Sequence, residues 1–513
     1  MLRPTFLGFN IAKRGLETSQ KGLDITGQNM TNWDSAGYTR QRVDQVAISQ
    51  SVYTTRFATN RISVAGQGVD IVGIGQIRDS FLDKRFRDEN SDMGYFDAAL
   101  GVLSDIESAI GEYQPETDSG IRGCLNSLLP ALLTFSEMPY SETNANIIAT
   151  EFRNLTQTLH QLNSKLNSVA NQQKYNLETS VYDLNKKLQD LASVNYAISQ
   201  DLGLTIDNEK YGPNELMDKR NLLLDEISQY GDIDVTEHAN KTITVSMGGM
   251  TVLDGDKYEQ MQMVRNSNDT VTLRWISTGD PIGTETGSLK GLTDFINGRG
   301  ANVVETGESQ YRGIPYYRDQ LNTFANTLAS VVNNIIPQYD TDGVTVLGYK
   351  ELLGGLSNTP DANGNYPVST GIPVTAANIA ISDIWTENSS YIIAKAENKD
   401  NNYILDLYNA LTNKDAMFVS NGEVYKGTFF EFVDNYAATL AEDITFYTGR
   451  QMASMTIVSE LQDRRDEISG VVIDEEVTNM MMYNKSYQAA SRLMTTLDEA
   501  LDVLINKMGL VGR

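Results

Sequence analysis

The chain is poor in the residues that most often carry catalysis or covalent cross-linking. It has one cysteine, Cys124, and two histidines, His160 and His238, among 513 residues. A single cysteine excludes an intramolecular disulfide, so stability must come from packing. Two separated histidines leave little material for general-base chemistry or zinc binding, and His160 does not belong to an HExxH motif. The sequence therefore predicts no catalytic residue, no metal site and no cofactor.

Basic residues and long apolar runs are also scarce. The 67 acidic and 41 basic side chains give a formal net charge of −26. Such a surface repels nucleic-acid phosphates and anionic lipid headgroups, so we expect neither nucleic acid nor membrane as a partner. The amino terminus has no apolar stretch long enough for a Sec signal. Residence in the cytoplasm and export without a cleavable peptide both agree with that, and composition does not distinguish them.

Two motifs that suggest ligand binding fail on inspection. Four glycines lie close together, at Gly66, Gly68, Gly73 and Gly75. A dinucleotide fingerprint needs its third glycine where Ile71 stands, so turns and a β-bulge are the better interpretation. The stretch 340–351 has the terminal acidic residues of a calcium loop, but Val344 replaces an oxygen ligand and the required glycine is absent. We predict a turn leading into a strand there.

Heptad patterns occur at both ends of the chain. Near the amino end, large apolar residues recur every seven positions, at Leu2, Phe9, Leu16, Leu23 and Met30. The second position of that repeat is small, as at Ala12. Near the carboxyl end the two lines are Met480, Tyr487, Met494, Leu501 and Met508, and Tyr483, Ala490, Leu497 and Leu504. Both segments run 29 residues, which favours a helix pair, antiparallel or coaxial, of matched length.

Such a helix pair has little apolar surface of its own. The burial it offers does not offset the conformational entropy lost when both segments become ordered. We therefore predict that the residues of these heptad lines pack between subunits. Asp474, Glu475 and Glu476 mark the expected start of the last helix, where the helix dipole favours negative charge.

Between the ends, helical and β patterns alternate. Apolar residues at spacings of three and four predict helices over 145–202, over 313–336 and from Val433 towards Ile468. Short β-branched runs predict strands between 233 and 276. We predict three domains. They are a coiled-coil core of 1–36 and 474–513, a helical bundle of 37–339 and 425–473 with β segments at about 233–297, and an inserted outer β-containing domain of 340–424.

Specific strings resemble a known family. The segment NIAKRGLETSQKGLDITGQNMTNWDSAGYTRQRVD, residues 10–44, resembles the amino-terminal segment of flagellar rod, hook and hook-associated proteins. Its turn motif is Asn29, Asn32, Gly37, Tyr38, Arg40 and Gln41, and the Tyr-Thr-Arg-Gln ending resembles the hook-associated protein 1 family in particular. Residues 470–509 and segments that begin at 213, 286 and 314 resemble the same family. The pair Ser35-Ala36 departs from the Thr-Pro that relatives usually carry.

The resemblance implies a mainly α, elongated, multidomain axial protein with β-containing insertions, its terminal helices paired as a coiled coil. It implies a structural subunit that joins hook to filament in the bacterial flagellum, with a role in flagellum assembly and motility and no enzymatic activity. Such a subunit leaves the cell by flagellar type III export and is extracellular at the hook–filament junction. The implied partners are copies of itself, the hook protein, the second hook-associated protein on the filament side and an export chaperone.

Three alternatives stay open from the sequence. The first is another axial subunit of the hook or rod type, which shares the motifs at the ends. The second is a hydrolase delivered by the flagellum, which needs a catalytic constellation that the sequence does not show. The third is an adhesin function for the insertion at 340–424.

Overall fold

The computed structural model describes residues 7–48, 66, 68–111, 120–200, 213–301, 307–340, 344–360, 366–394 and 402–507. These residues form eleven α-helices: α1 Leu7–Thr31, α2 Ser80–Ile110, α3 Gly120–Glu137, α4 Glu142–Ser199, α5 Asn214–Ser228, α6 Ser288–Ile296, α7 Ile314–Asn333, α8 Asp383–Glu387, α9 Tyr403–Leu411, α10 Phe429–Ser469 and α11 Ile473–Asp502. A π-helical turn, Val503–Lys507, continues α11, and a 3-10 helix spans Ser389–Ile392.

The strands are short and pair antiparallel. They are β1 Gln41–Ala47, β2 Val69–Gln76, β3 Ile233–Glu237, β4 Ile243–Met247, β5 Met250–Asp254, β6 Lys257–Tyr258, β7 Met261–Arg265, β8 Val271–Trp275, β9 Pro337–Tyr339, β10 Val346–Tyr349, β11 Leu353–Leu356, β12 Val368–Ser369, β13 Ile379–Ile381, β14 Met417–Ser420 and β15 Glu423–Lys426. The largest sheet has the order β3-β4-β5-β6. The predicted class, mainly α with β-containing insertions, is confirmed.

The three long helical patterns are confirmed as α4, α7 and α10. In α4 the leucines at spacings of three and four, such as Leu155, Leu159 and Leu162, are buried. Leu177, Leu184 and Leu188 continue that face after a skip of one residue. One face of this 58-residue helix is therefore buried in a hydrophobic core, and that burial explains why so long a helix is stable.

Contacts divide the chain into two compact units. Unit 1 comprises 1–91, 184–260 and 454–513, and unit 2 comprises 92–183 and 261–453. The predicted coiled-coil core of 1–36 and 474–513 belongs to unit 1, and the predicted insertion of 340–424 belongs to unit 2. The division into three domains stays a prediction.

Unit 1 contains α1, α5, α11, the β1–β2 hairpin and the β3–β6 sheet. The register of the hairpin shifts between Asp44 and Gln45, which lie opposite Gly73 and Ile71. This β-bulge confirms the interpretation of the glycine-rich stretch as a structural feature.

Unit 2 is built on an aromatic core. The ring of Phe418 stacks on Phe432 at 4.3 Å between centroids, and Phe324 meets Phe429 edge to face at 5.3 Å. Trp385 of α8 is fully buried and lies 5.4 Å from Phe152 of α4. These contacts place the short helices and strands of the 340–424 stretch on a well-packed apolar base.

The rejected calcium loop lies between β9 and β10, which pair antiparallel. The strand predicted to follow the turn is confirmed as β10, whereas 341–343 fall outside the described residues. Within the described ranges no group of three or more His, Cys, Asp or Glu side chains is arranged to hold a metal ion. No helix in the same ranges has the length and hydropathy to cross a bilayer.

Candidate assembly site

Helices α1 and α11 pack against each other through a line of glycines. Gly8 faces Leu497, Gly15 faces Ala490, and Gly22 faces Tyr483. Each step of seven residues forward along α1 matches a step of seven backward along α11, so the pair is antiparallel. We call Gly8, Gly15 and Gly22 the glycine line.

The close approach of α1 and α11 depends on the absence of a side chain at each glycine of the glycine line. A Cβ atom at Gly22 would lie 2.6 Å from ring atoms of Tyr483, and one at Gly8 would lie 3.1 Å from Cδ1 of Leu497. Real Cβ atoms do not tolerate the first distance, because packing at that range is strongly repulsive. The large α11 side chains are therefore accommodated directly against the backbone of α1.

Among the predicted heptad residues that the structure describes, one is buried, one is exposed and the others are half-buried. On α1, Ala12 is buried, and the large residues Phe9, Leu16, Leu23 and Met30 are half-buried. On α11, the half-buried members are Met480, Tyr483, Ala490, Met494, Leu497 and Leu501, and Tyr487 is exposed. Leu2 and Met508 lie outside the described residues, as does the side chain of Leu504. Pairing with α1 thus leaves most of the apolar surface of α11 incompletely covered.

Helix α11 also exposes apolar residues outside the heptad lines. The exposed fractions are 57% for Met481, 52% for Met482 and 43% for Leu493. Glu476 is the one buried residue of α11. A helix whose single fully buried side chain is a carboxylate, and which exposes Met481 and Met482, departs from an ordinary amphipathic pattern.

The turn motif after α1 is organised by Asn29. Its Nδ2 atom donates hydrogen bonds to the carbonyl oxygen of Gln41 at 2.8 Å and to Oε2 of Glu476 at 3.2 Å. Its Oδ1 atom accepts from the hydroxyl of Tyr38 at 2.8 Å and from the backbone amide of Gln41 at 3.0 Å. All four hydrogen-bonding positions of this buried amide are therefore used.

The turn itself forms without a proline, since Ser35 and Ala36 occupy it. The amide of Ser35 donates to the carbonyl of Asn32, and that of Tyr38 donates to the carbonyl of Ser35, both at 3.0 Å. The side chain of Asn32 closes the end of α1 by donating to the carbonyl of Gln28 at 3.0 Å. Gly37 has φ of +76°, a left-handed conformation that glycine adopts without strain.

An ion pair connects this turn to the start of α11. Arg40 lies 2.8 Å from Oε1 of Glu476 through Nε and 2.7 Å through Nη2. Its Nη1 atom donates to Oε2 of Glu475 at 2.8 Å, and its backbone amide donates to the carbonyl of Ser469 at 2.9 Å. The side chain of Glu476 is only 3% exposed. We call Asn29, Tyr38, Arg40, Gln41 and Glu476 the clasp.

A second carboxylate supports the turn from α5. Oδ2 of Asp218 accepts from the amide of Thr39 at 3.3 Å, and Oδ1 accepts from Nε2 of Gln76 at 2.8 Å. Burial raises the pKa of Asp218 to about 6, against the opposing effect of the bonds from Thr39 and the charge of Arg78.

The pKa of Asp218 predicts a pH dependence of stability. Because the pKa is higher in the folded chain than in the unfolded one, folding takes up a proton. The contribution is fully present below pH about 4 and is lost as the pH rises through about 6. Relative to Asp218→Asn, the unmodified chain should gain about 1–2 kcal/mol of unfolding free energy between pH 7.5 and pH 4.5. Urea titrations of both proteins at the two pH values measure this, and an equal pH dependence would contradict it.

Sequence reasoning missed the glycine line, Asp218 and Gln76. The glycine line had a signal, namely three glycines at intervals of seven residues in one helix. Asp218 and Gln76 had none, because each is separated from the turn by a long stretch of chain.

Comparisons with known proteins find relatives of this chain. Residues 103–346 match the family described as "Flagellar hook-associated protein FlgK helical domain". Residues 462–507 match "Flagellar basal body rod FlgEFG protein C-terminal". The flagellar hook junction protein FlgK from Burkholderia pseudomallei has a similar fold, with a TM-score of 0.56 and 12% identity, over 75% of this chain and 100% of that one.

Full-length relatives carry the same name. Flagellar hook-associated protein 1 of Salmonella typhimurium (strain LT2) is 22% identical over 581 aligned residues, covering 97% of this chain and 99% of the relative. Flagellar hook-associated protein 1 of Bacillus subtilis (strain 168) is 31% identical over 541, covering 99% of both. At that identity and coverage, the chain belongs to the family of flagellar hook-associated protein 1.

Proposed function

We propose that this chain is a structural subunit that joins hook to filament in the bacterial flagellum and works by packing against neighbouring subunits, without catalysing a reaction. The observation that carries the proposal is the apolar surface that α11 leaves exposed after it has paired with α1. Exposed contiguous apolar surface marks an interaction site. Family membership supports the flagellum as the place where this surface is covered.

The proposed contact surface consists of the half-buried heptad residues and the exposed apolar residues of α11. Burying both helices among copies of the same pair would cover Phe9, Leu16 and Met494 together with Met481 and Leu493. The acidic composition disfavours phosphate-rich partners, so the match is to other apolar helices. We propose the predicted coiled-coil core of 1–36 and 474–513 as the part that mediates assembly.

The proposed partners are copies of this chain, the hook protein and the second hook-associated protein on the filament side. Delivery would use flagellar type III export with an escorting chaperone, giving an extracellular location. The relatives that match over almost the whole chain, all named flagellar hook-associated protein 1, favour the junction. The match of 462–507 to a rod-protein domain favours a second candidate, another axial subunit, for the carboxyl end alone.

Substitutions on α11 test the proposal. Met481→Glu and Leu493→Glu place charge on exposed apolar positions, so we expect the isolated chain to fold normally and the flagellum to lack a filament. Cells that carry the variant in place of the natural protein should lose motility, and electron microscopy should show hooks without filaments. The charge prevents burial against another subunit and costs nothing in a helix exposed to water.

The matched control is Thr478→Glu. Thr478 is exposed on the same helix and belongs to a polar line with Lys485, Arg492 and Glu499, so the same added charge should leave assembly intact. Normal filaments on cells that carry Met481→Glu together with Leu493→Glu would overturn the proposed role of α11.

A further inference from the structure

Unit 1 contains a cavity of about 600 Å³, within the range that holds small organic ligands. Its lining includes six basic residues, Arg42, Arg78, Lys84, Arg87, Arg220 and Lys241, and three acidic ones, Asp44, Asp83 and Glu237. The lining alone thus has three more basic than acidic residues, in a chain with a net charge of −26. None of the lining residues belongs to α1 or α11, although Gln76, which bonds Asp218 beside the turn, is one of them.

Two of the arginines are nearly inaccessible yet incompletely bonded. The side chains of Arg87 and Arg220 are 8% and 6% exposed. Nε of Arg87 donates to Oδ1 of Asp225 at 2.7 Å, and Nη1 of Arg220 donates to the carbonyl of Lys241 at 2.6 Å. Nη2 of Arg87 and Nε of Arg220 have no hydrogen-bond partner in the described part of the chain. Buried guanidinium donors without partners are costly, and both belong to side chains that line the cavity.

The acidic lining residues already form ion pairs with basic residues of the same lining. Asp44 accepts from Nε of Arg42 at 2.8 Å, and Asp83 pairs with Arg78. Glu237 accepts from Nη2 of Arg220 at 3.1 Å and from Lys241 at 2.7 Å. Outside the lining, Asp234 pairs with Lys84 at 2.9 Å and Asp225 pairs with Arg87 at 2.7 Å, so each basic side chain of the lining is held by a carboxylate.

The guanidinium groups also repel one another. Burial lowers the pKa of Arg220, Glu237 opposes that shift, and the positive charges of Arg87 and Arg78 lower the pKa further. An arginine stays protonated under such conditions, so Arg87 and Arg220 remain charged hydrogen-bond donors.

Part of the lining of the cavity is apolar. Met217 and Leu224 of α5, Ile233 of β3 and Ile243 of β4 line it, and all four are buried. These residues belong to a helix and a sheet, so the wall is fixed by regular structure. A bare ion would leave this wall uncovered, whereas a ligand with an apolar body would fill it.

We propose that the cavity binds a small organic anion. Its phosphate or carboxylate group accepts hydrogen bonds from Arg87 and Arg220, and its apolar or aromatic body packs against Met217, Leu224 and Ile243. Carboxylate is a planar oxyanion and phosphate a tetrahedral one, and arginine binds both through two parallel N–H donors.

Isothermal titration calorimetry of the full chain at fixed ionic strength tests this with two pairs of probes. AMP is compared with adenosine for the phosphate headgroup, and benzoate with benzyl alcohol for the carboxylate. We expect the anion of at least one pair to bind with a stoichiometry of one and at least tenfold more tightly than its neutral counterpart. If both anions bind no better than the neutral compounds, the cavity holds only water and the proposal is wrong.

Variants locate the binding. Arg220→Met should weaken the binding of the anion at least tenfold, and Arg122→Met, on an exposed guanidinium in unit 2, should leave it unchanged. Should circular dichroism show that Arg220→Met does not fold, Lys84→Met replaces it, because that side chain is 62% exposed and contributes little to packing. We expect Lys84→Met to weaken binding about threefold. If the cavity variants bind the anion as tightly as Arg122→Met does, the anion binds elsewhere and the proposed site is wrong.

Discussion

Replacing Glu476 by glutamine should lower the free energy of unfolding of unit 1 by about 3 kcal/mol. The substitution keeps the size of the side chain and removes its charge. Arg40, whose side chain is 17% exposed, would then be a largely desolvated cation without its principal counter-ion, and Asn29 would lose a charged acceptor. Removing one partner of a buried ion pair costs far more than the pair contributes, because the remaining charge stays desolvated.

Glu475→Gln is the control for this prediction. Glu475 also bonds Arg40, but its side chain is 59% exposed, so water replaces the lost charge. We expect a loss of less than about 1 kcal/mol. Urea unfolding followed by circular dichroism measures both variants, and hydrogen exchange of the α11 amides localises the effect. If the two variants lose equal amounts of unfolding free energy, the ion pair between Arg40 and Glu476 is not stabilised by its burial.

The second large effect is expected at the glycine line. Gly22→Ala places a methyl group 2.6 Å from the ring of Tyr483, which forces α1 and α11 apart. Overpacking of this kind costs about 1–3 kcal/mol. The gain in helix propensity of about 1 kcal/mol does not offset the larger part of that cost.

Gly27→Ala is the matched control, since a Cβ atom there meets nothing within 4 Å. It carries the same gain in helix propensity and should stabilise α1 by about 0.5–1 kcal/mol. The two alanine variants should therefore shift the urea midpoint in opposite directions. Adding Tyr483→Ala to Gly22→Ala should recover part of the loss. A shift of both variants in the same direction would mean that α1 and α11 tolerate a wider separation.

The sequence predicted the elements whose signal is local. Helices α4, α7 and α10 follow from apolar residues three and four positions apart, and the β-bulge near Gly73 follows from a cluster of glycines among β-branched residues. In these helices most of the apolar residues whose spacing predicts the helix are also residues that are buried in the core. Periodicity alone was therefore sufficient to predict the helices.

The assembly site was only half predictable. Heptad reasoning looks for large apolar side chains, and it found Tyr483, Ala490 and Leu497 on α11. Their partners on α1 are glycines, which carry no hydrophobic signal. The large residues of α1, such as Leu16 and Leu23, instead lie half-buried beside the contact.

The clasp and the cavity were beyond a local reading. Asn29 and Glu476 are 447 positions apart, and no spacing rule connects an asparagine with a glutamate at that distance. The arginines of the cavity likewise come from separate elements, with Arg87 on α2 and Arg220 on α5. Tertiary structure decides which charged side chains become neighbours. The charge count therefore predicted an acidic surface, but it did not predict where the basic residues of the cavity come together.

The long separation between Asn29 and Glu476 also sets the order in which the molecule can be completed. A ribosome releases α1 hundreds of residues before it makes α11, so the first helix has no intramolecular partner for nearly the whole of translation. Closing so large a loop is slow compared with forming the local helices of the middle. The newly made chain therefore has an unpaired first helix until the last helix has been synthesised.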